Sequence, residues 1–429
     1  MLLLLAAARP AAAQEPVHVF RGATLYPISG PPVANGVLVV RGGKIAAVGA
    51  ADAVTIPAGA TVHDVSGKVI LPGLVDTHSH VGGGEGGDRS APLHPAVRIL
   101  DTLDPQDDGI KRARAGGITT VNVMPGSGHL MSGQTAYLKL RNGRVVTDLL
   151  LCRDVLREVC GGMKMANGTN SRREPPFPGT RAKSAALVRE RFVAAQNHRD
   201  KLRRAGGDAS KAPARDLELE ALAEVLDGRR QVHFHTHRAD DILTAIRLGQ
   251  EFGFKPVLHH VSEAWKVADQ IAAAGVPSSI ILLDAPGGKL ETAEIRLSNG
   301  AALEKAGAAV AFHTDDGITD SRWFLRMAAM AVRAGMSRDA ALDALTLAGA
   351  RMLGLQERVG SLQAGKDADF IVLSGDPLSV YTHVEQTWVE GARVYDRANP
   401  AERALAVGGY GVYRGGEMHT AEGEWEDAQ

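Results

Sequence analysis

The chain has 429 residues, 45% hydrophobic and 23% charged, which excludes a disordered protein and leaves enough apolar material for a large core. Its 48 basic and 49 acidic residues give a formal charge of −1, and only 4% are aromatic, so neither the basic excess nor the stacking platforms of a nucleic-acid binder are present. The 49 glycines imply many tight loops, and the 15 histidines imply metal or proton chemistry if they cluster.

At the N-terminus, the apolar run Leu2 to Ala8 is far too short to span a bilayer, and Ala11-Ala12-Ala13 before Gln14 reads as a small-residue cleavage site. Residues 1–13 are therefore expected to be a signal peptide lacking its positive n-region, which implies a periplasmic or secreted protein with no membrane span. Residues 17–70 read as short strands. The two β-rich runs of Val37 to Val48 surround Gly42-Gly43, a hairpin signal. The same texture returns in 358–398, where Asp369–Leu373 and Gln386–Tyr395 are strand-like, with Glu390-Gly391 as a turn. The economical expectation is one small β-sandwich domain built from both ends of the chain.

Between them, residues 71–357 alternate strands and helices. Strands are expected at Gly117–Met124, Gln231–His235, Pro256–His260, Ser278–Leu283 and Ala308–His313, and helices at Leu217–Leu226, Asp240–Phe252, Glu263–Ala274 and Ala302–Ala306. This βα repetition implies a parallel sheet, and its length favours a (β/α)8 TIM barrel over an open one. The fold class is thus α/β. Residues 184–216, basic and helix-prone, read as an insertion, and 399–429 as a loose acidic tail. Cys152 and Cys160 cannot form a disulfide framework; buried thiols are expected rather than a single bridge.

The sharpest local feature is an apolar strand ending in His78-Ser79-His80. Residues i and i+2 of a strand share a face, so both imidazoles can meet one metal at the C-terminal mouth of a barrel. Three further strand ends carry histidines: His233, His235 and His237; His259 and His260; and His313 ahead of Asp315 and Asp316. Neutral imidazoles with a carboxylate suit Zn²⁺ or a similar divalent metal. By alternation, His259 should point to the helix layer and His313 inward beneath Asp315. The run Gly82 to Gly87 has no phosphate-loop lysine after it and reads as a flexible pocket wall.

HxH after the first strand, histidines after the fifth and sixth and an Asp after the eighth resemble the amidohydrolase superfamily over nearly the whole chain. Gly360 to Val372 resembles that family's return into its β domain, and Met124 to Gly133 and Arg238 to Ile242 resemble its imidazolonepropionase-like branch, which includes metal-dependent dipeptidases. The resemblance implies that His78, His80 and Asp315 bind a first metal, and His235 and His260 a second. Lys164 stands where two-metal members place a bridging lysine, which must be carbamylated to ligate. His129, His237 and Arg238 become substrate-contact candidates, each with a local structural role as the alternative.

The implied activity is hydrolysis of an amide-like C–N bond of a small molecule by metal-activated hydroxide, with Asp315 as proton shuttle. Imidazolonepropionase and deaminase members carry Glu three residues after the fifth-strand histidine; in this chain that position is Arg238. This departure, with the expected export, favours a dipeptide or N-acyl amino acid. The alternatives are a mononuclear cyclic amidase or deaminase using His78, His80, His235 and Asp315, and a non-catalytic metal- or solute-binding barrel. A monomer and a homo-oligomer are both compatible with the chain.

Overall fold

The structure, a computed structural model, describes residues 16–84, 87–282 and 289–408. Residues 1–13, where a signal peptide is expected, lie outside these, as do part of the glycine run and residues 409–429. The chain begins with strands β1 (Val17–Leu25), β2 (Val33–Arg41), β3 (Lys44–Ala50), β4 (Thr61–Asp64) and β5 (Val69–Pro72). The expected hairpin joins β2 to β3. Gly42 and Gly43 have φ of 56° and 74°, and a two-residue turn with positive φ at both positions matches the twist of paired strands.

The central unit starts with β6 (Leu74–Ser79), the helix Asp108–Ala115 and β7 (Ile118–Val123), which lies parallel to β6. Then come β8 (Met131–Gln134), β9 (Ala136–Lys139), β10 (Met163–Ala166), β11 (Val232–Thr236), β12 (Pro256–His260), β13 (Ser278–Ile280) and β14 (Val310–Phe312). Strands β10 to β14 pair successively in parallel, while β8 and β9 run antiparallel to β10 and β7. The parallel strands are buried throughout, as a sheet covered on both faces requires. With the intervening helices this is the mixed α/β content of a TIM-barrel fold. Among the described residues no helix is long and apolar enough to cross a membrane.

Three local expectations need correction. The supposed insertion is a 25-residue helix, Arg181–Ala205, capped by Thr180 and ended by left-handed Gly206. Its Phe192 stacks on Phe252 and Phe254 at 5.0 and 5.1 Å, so it belongs to the outer layer. The helix expected at Glu263–Ala274 splits into a 3-10 turn, Ala264–Lys266, and a helix, Ala268–Ala274; near the break, Asn299 Oδ1 takes the Trp265 N–H at 2.9 Å, a tertiary bond invisible to periodicity. Finally, Cys152 and Cys160 form a disulfide with Cα atoms 5.0 Å apart. The reason lies in their flanks: Leu151 N–H donates to the Tyr137 carbonyl and Tyr137 N–H to the Cys160 carbonyl, which brings both ends of the loop to one residue of β9.

The chain returns through β15 (Phe370–Leu373), β16 (Val384–Val389) and β17 (Ala392–Asp396). β15 pairs antiparallel with β5, placing Phe370 opposite Pro72. Both ends thus share one continuous eight-stranded sheet, ordered β17-β16-β15-β5-β1-β2-β3, with β4 also on β1. Phe20 lies 4.8 Å from Phe370 and 5.0 Å from Trp388, edge to face, in its core. The expected loose tail starts instead as a helix, Pro400–Val407, capped by Asn399 with Pro400 at its first position.

Candidate metal centre

The HxH strand is set by a residue that the ligand pattern does not include. Asp76 lies on the face shared by His78 and His80 and is fully buried. Its Oδ1 accepts from the His78 and Thr314 backbone N–H groups at 3.2 and 3.1 Å, and its Oδ2 from the Thr314 hydroxyl at 2.5 Å. Burial pushes its carboxyl up to about 7. Asp76 therefore ties β6 to the segment after β14. Asp315 N–H adds a bond of 2.9 Å to the His78 carbonyl. The alternation Asp76-x-His78-x-His80 was the available signal.

On this frame the expected residues meet. His78 Nε2 and His80 Nε2 lie 3.2 and 3.0 Å from Asp315 Oδ1, and 3.4 Å from each other. His260 Nδ1 lies 3.9 Å from Asp315 Oδ2. Lys164 is fully buried, its Nζ 3.0 Å from His78 Nε2 and 3.1 Å from Met124 Sδ. The His235 ring is 4.4 Å from that of His260, centroid to centroid. His80 Nδ1–H donates to the Met124 carbonyl at 2.8 Å, leaving its Nε2 lone pair towards Asp315 and His78.

The neighbours are resolved as well. His237 Nδ1 is 2.8 Å from Ser262 Oγ, and its ring stacks on His260 at 5.0 Å. Arg238 is half-buried and pairs with Asp240 at 3.0 Å, apart from the cluster. His129 is buried beside His94 and Phe177, also apart from it. Asp316 accepts from the Ser321 N–H and hydroxyl at 2.8 and 2.5 Å, a loop role as expected. His313 faces inward as expected, its Nε2 3.1 Å from His260 Nδ1. His259 does not face the helices: its ring is 4.9 Å from that of His78. His259 is in register with inward-facing His235 on β11, so it is the regular inward residue of its strand, and the positive φ of His260 (69°) and Val261 (40°) turns the strand end so that His260 enters the cluster as well. Asp315 also has positive φ, 50°. Such non-glycine conformations cost about 1–3 kcal/mol each and gather at functional sites.

Burial drives the pKa of His78, His235 and His260 well below the ordinary 6.5, and those of His233, His237 and His313 to about 3. All are neutral imidazoles with lone pairs available. Burial pushes Asp315 up, but the electrostatic pull of the facing His78 and His260 outweighs it and holds the carboxyl well below the carboxylate range. Both nitrogens of His235, Nδ1 of His78 and Nε2 of His260 are buried without a hydrogen-bond partner. Several orphaned imidazole nitrogens around one carboxylate fit a metal ion; His78, His260 and Asp315 alone bring three ligand atoms within 4.8 Å of one another.

Residues 69–395 match the amidohydrolase family. Amidohydrolase tasK of Hapsidospora irregularis is 29% identical over 372 residues, covering 80% of this chain, which spans only 38% of that protein's length. An imidazolonepropionase of Deinococcus radiodurans is 28% identical over 390 residues, 80% of this chain and 86% of that one. The crystal structure of an amidohydrolase from Thermotoga maritima superposes with a TM-score of 0.83 at 34% identity, covering 89% of this chain and all of that one. The chain belongs to the amidohydrolase family of enzymes and is similar to the imidazolonepropionases among them.

Proposed function

We propose that the enzyme hydrolyses the C–N bond of a dipeptide or N-acyl amino acid. The observation that carries this reading is the convergence of His78, His80, Lys164, His235, His260 and Asp315 at one buried site. A divalent cation, Zn²⁺ by the chemistry of the donors, supplies Lewis acidity and brings a bound water's pKa towards about 7. The protein's own residues do the rest. Asp315, ionised at neutral pH, accepts the proton of the attacking water at a carboxylate oxygen and returns it to the departing amine nitrogen. His237, held by Ser262, contacts the substrate at the mouth. Lys164, once deprotonated, would attack CO₂ through Nζ and release a further proton to solvent, and the resulting carbamate would offer anionic oxygens to the cations held by the histidines. The buried setting supports this, since an ammonium amid ligand nitrogens has no donor to offer a metal.

The architecture follows the same reading. Residues 71–357 close as a (β/α)8 barrel, supported by the bond between Asp315 N–H and the His78 carbonyl. Residues 17–70 and 358–398 form one β unit that folds over as a sandwich around Phe20, Phe370 and Trp388. The Cys152–Cys160 disulfide supports a periplasmic or secreted location, where such bonds persist.

A second reading, a mononuclear cyclic amidase, is favoured by the similarity to an imidazolonepropionase. Metal analysis of the purified protein, with a panel of dipeptides, N-acyl amino acids and lactams, decides. Loss of one ion per chain in Lys164→Ala, with dipeptide turnover by wild type, is the expected result. An ion count unaffected by Lys164→Ala, with turnover confined to lactams, overturns it.

A further inference from the structure

We infer that a deeper cation seat lies beneath this centre, formed by His78, His259 and His313, and that it takes a late first-row transition-metal ion through nitrogen alone. The three residues are fully buried, and one ring nitrogen from each lies within 4.8 Å of the others. Their ring centroids are 4.9, 5.0 and 5.4 Å apart. Both His78 Nδ1 and His259 Nδ1 are buried with no hydrogen-bond partner. A buried polar atom left without a partner is destabilising, and a shared ion relieves both. His78 Nε2 is already turned to Asp315 and His80, which leaves Nδ1 as its nitrogen for the layer below.

The outer contacts are those of metal ligands. His259 Nε2 lies 3.0 Å from His233 Nδ1, and His233 Nε2 lies 2.9 Å from the Tyr137 hydroxyl. His313 Nδ1 lies 2.9 Å from Ser279 Oγ, itself 2.6 Å from Thr77 Oγ1. Contacts of this kind fix ring orientation and tautomer, leaving the opposite nitrogen for the ion. An ion at His313 Nε2 replaces its 3.1 Å contact with His260 Nδ1. With no carboxylate in the triad, the seat discriminates against Mg²⁺, Ca²⁺ and Mn²⁺ and favours Co²⁺ through Zn²⁺. It shares His78 with the centre above, so with both filled that ring has lost its N–H proton to solvent and bridges as an imidazolate, but the seat owes nothing to the reaction proposed there.

The test uses full-length protein stripped with a chelator and titrated with Co²⁺, counting bound ions and recording the ligand-field spectrum. Wild type is expected to hold one more ion per chain than His259→Gln. Ser279→Ala, which frees His313 Nδ1 and the Thr77 hydroxyl but removes no ligand, should weaken that ion's binding about 10–100-fold. A double variant, His80→Asn with Asp315→Asn, should still hold an ion whose X-ray absorption shows nitrogen ligands alone. Equal stoichiometry and superimposable spectra in wild type and His259→Gln overturn the seat, as does a double variant that binds nothing. If His259→Gln does not fold, unchanged Co²⁺ affinity in folded Ser279→Ala overturns it. Failure of the substrate panel defeats the proposed substrate class alone, whereas the nitrogen-only ion supports this seat whichever way the panel falls.

Discussion

Lys139→Met tests the joint between the barrel strands and the shared sheet. Lys139 lies at the end of β9, fully buried, with Nζ 2.8 Å from Asp367 Oδ2 and 2.5 Å from Asp369 Oδ2 on the segment entering β15. The two carboxylates fare differently without it. Asp367 keeps Lys44 at 2.6 Å and Arg358 at 3.1 Å. Asp369 keeps the Glu390 backbone N–H at 2.8 Å but loses its Lys139 ion pair. Removing one partner of a buried pair costs about 3–5 kcal/mol. Protonation of Asp369 relieves part of this. Burial already raises its pKa, against the pull of Lys139, so the lysine's loss raises it further. An acid whose folded pKa exceeds its unfolded value loses folded-state stability as pH rises between the two. The deficit in urea unfolding should therefore be larger at pH 8 than at pH 5. Lys139→Met with Asp369→Asn should recover most of it, because no bare carboxylate remains. A single variant within about 1 kcal/mol of wild type at pH 8, or a deficit independent of pH, refutes this account.

Asp315→Asn should leave metal bound through the histidines and lower kcat by about 10²–10⁴-fold, the range for losing a positioned acid–base group; full turnover removes its shuttle role. Asp76→Ala strips the partner from the Thr314 hydroxyl and two backbone N–H groups, so unfolding should cost at least about 1–3 kcal/mol less and metal affinity should fall; a variant with unchanged stability and metal affinity refutes its role in tying β6 to the segment after β14. Chelation should lower the melting temperature and abolish turnover, and Zn²⁺ at 1,000 times its Kd should restore about 4 kcal/mol of stability, measured by calorimetry. Cys152→Ser with Cys160→Ser opens a short loop and should lose about 2.5 kcal/mol, read as a change in urea midpoint between oxidised wild type and variant.

Much of this protein is legible without coordinates. The turns at Gly42-Gly43 and Glu390-Gly391 mark hairpins because a two-residue hairpin loop needs left-handed conformations that few residues adopt. The helix Leu217–Leu226 and the strand Pro256–His260 fall where the pattern puts them. His78, His80, His235, His260 and Asp315 are identifiable as candidates because barrel strands end at one mouth, so strand-end side chains converge. What the pattern could not reach depends on contacts between distant segments. Cys152 and Cys160 pair because Tyr137 gathers both flanks of their loop, and the helix after Glu263 breaks where Asn299 captures a backbone donor. Pairing with inward-facing His235 sets His259 against His78, and the left-handed turn at His260 brings that neighbour in too, so two adjacent histidines face one site where simple alternation allows one. The kinds of residue at the site and the strands that carry them are local properties, written in spacing. Which nitrogens face one another, and which remain without a partner, is decided only when the strands lie side by side.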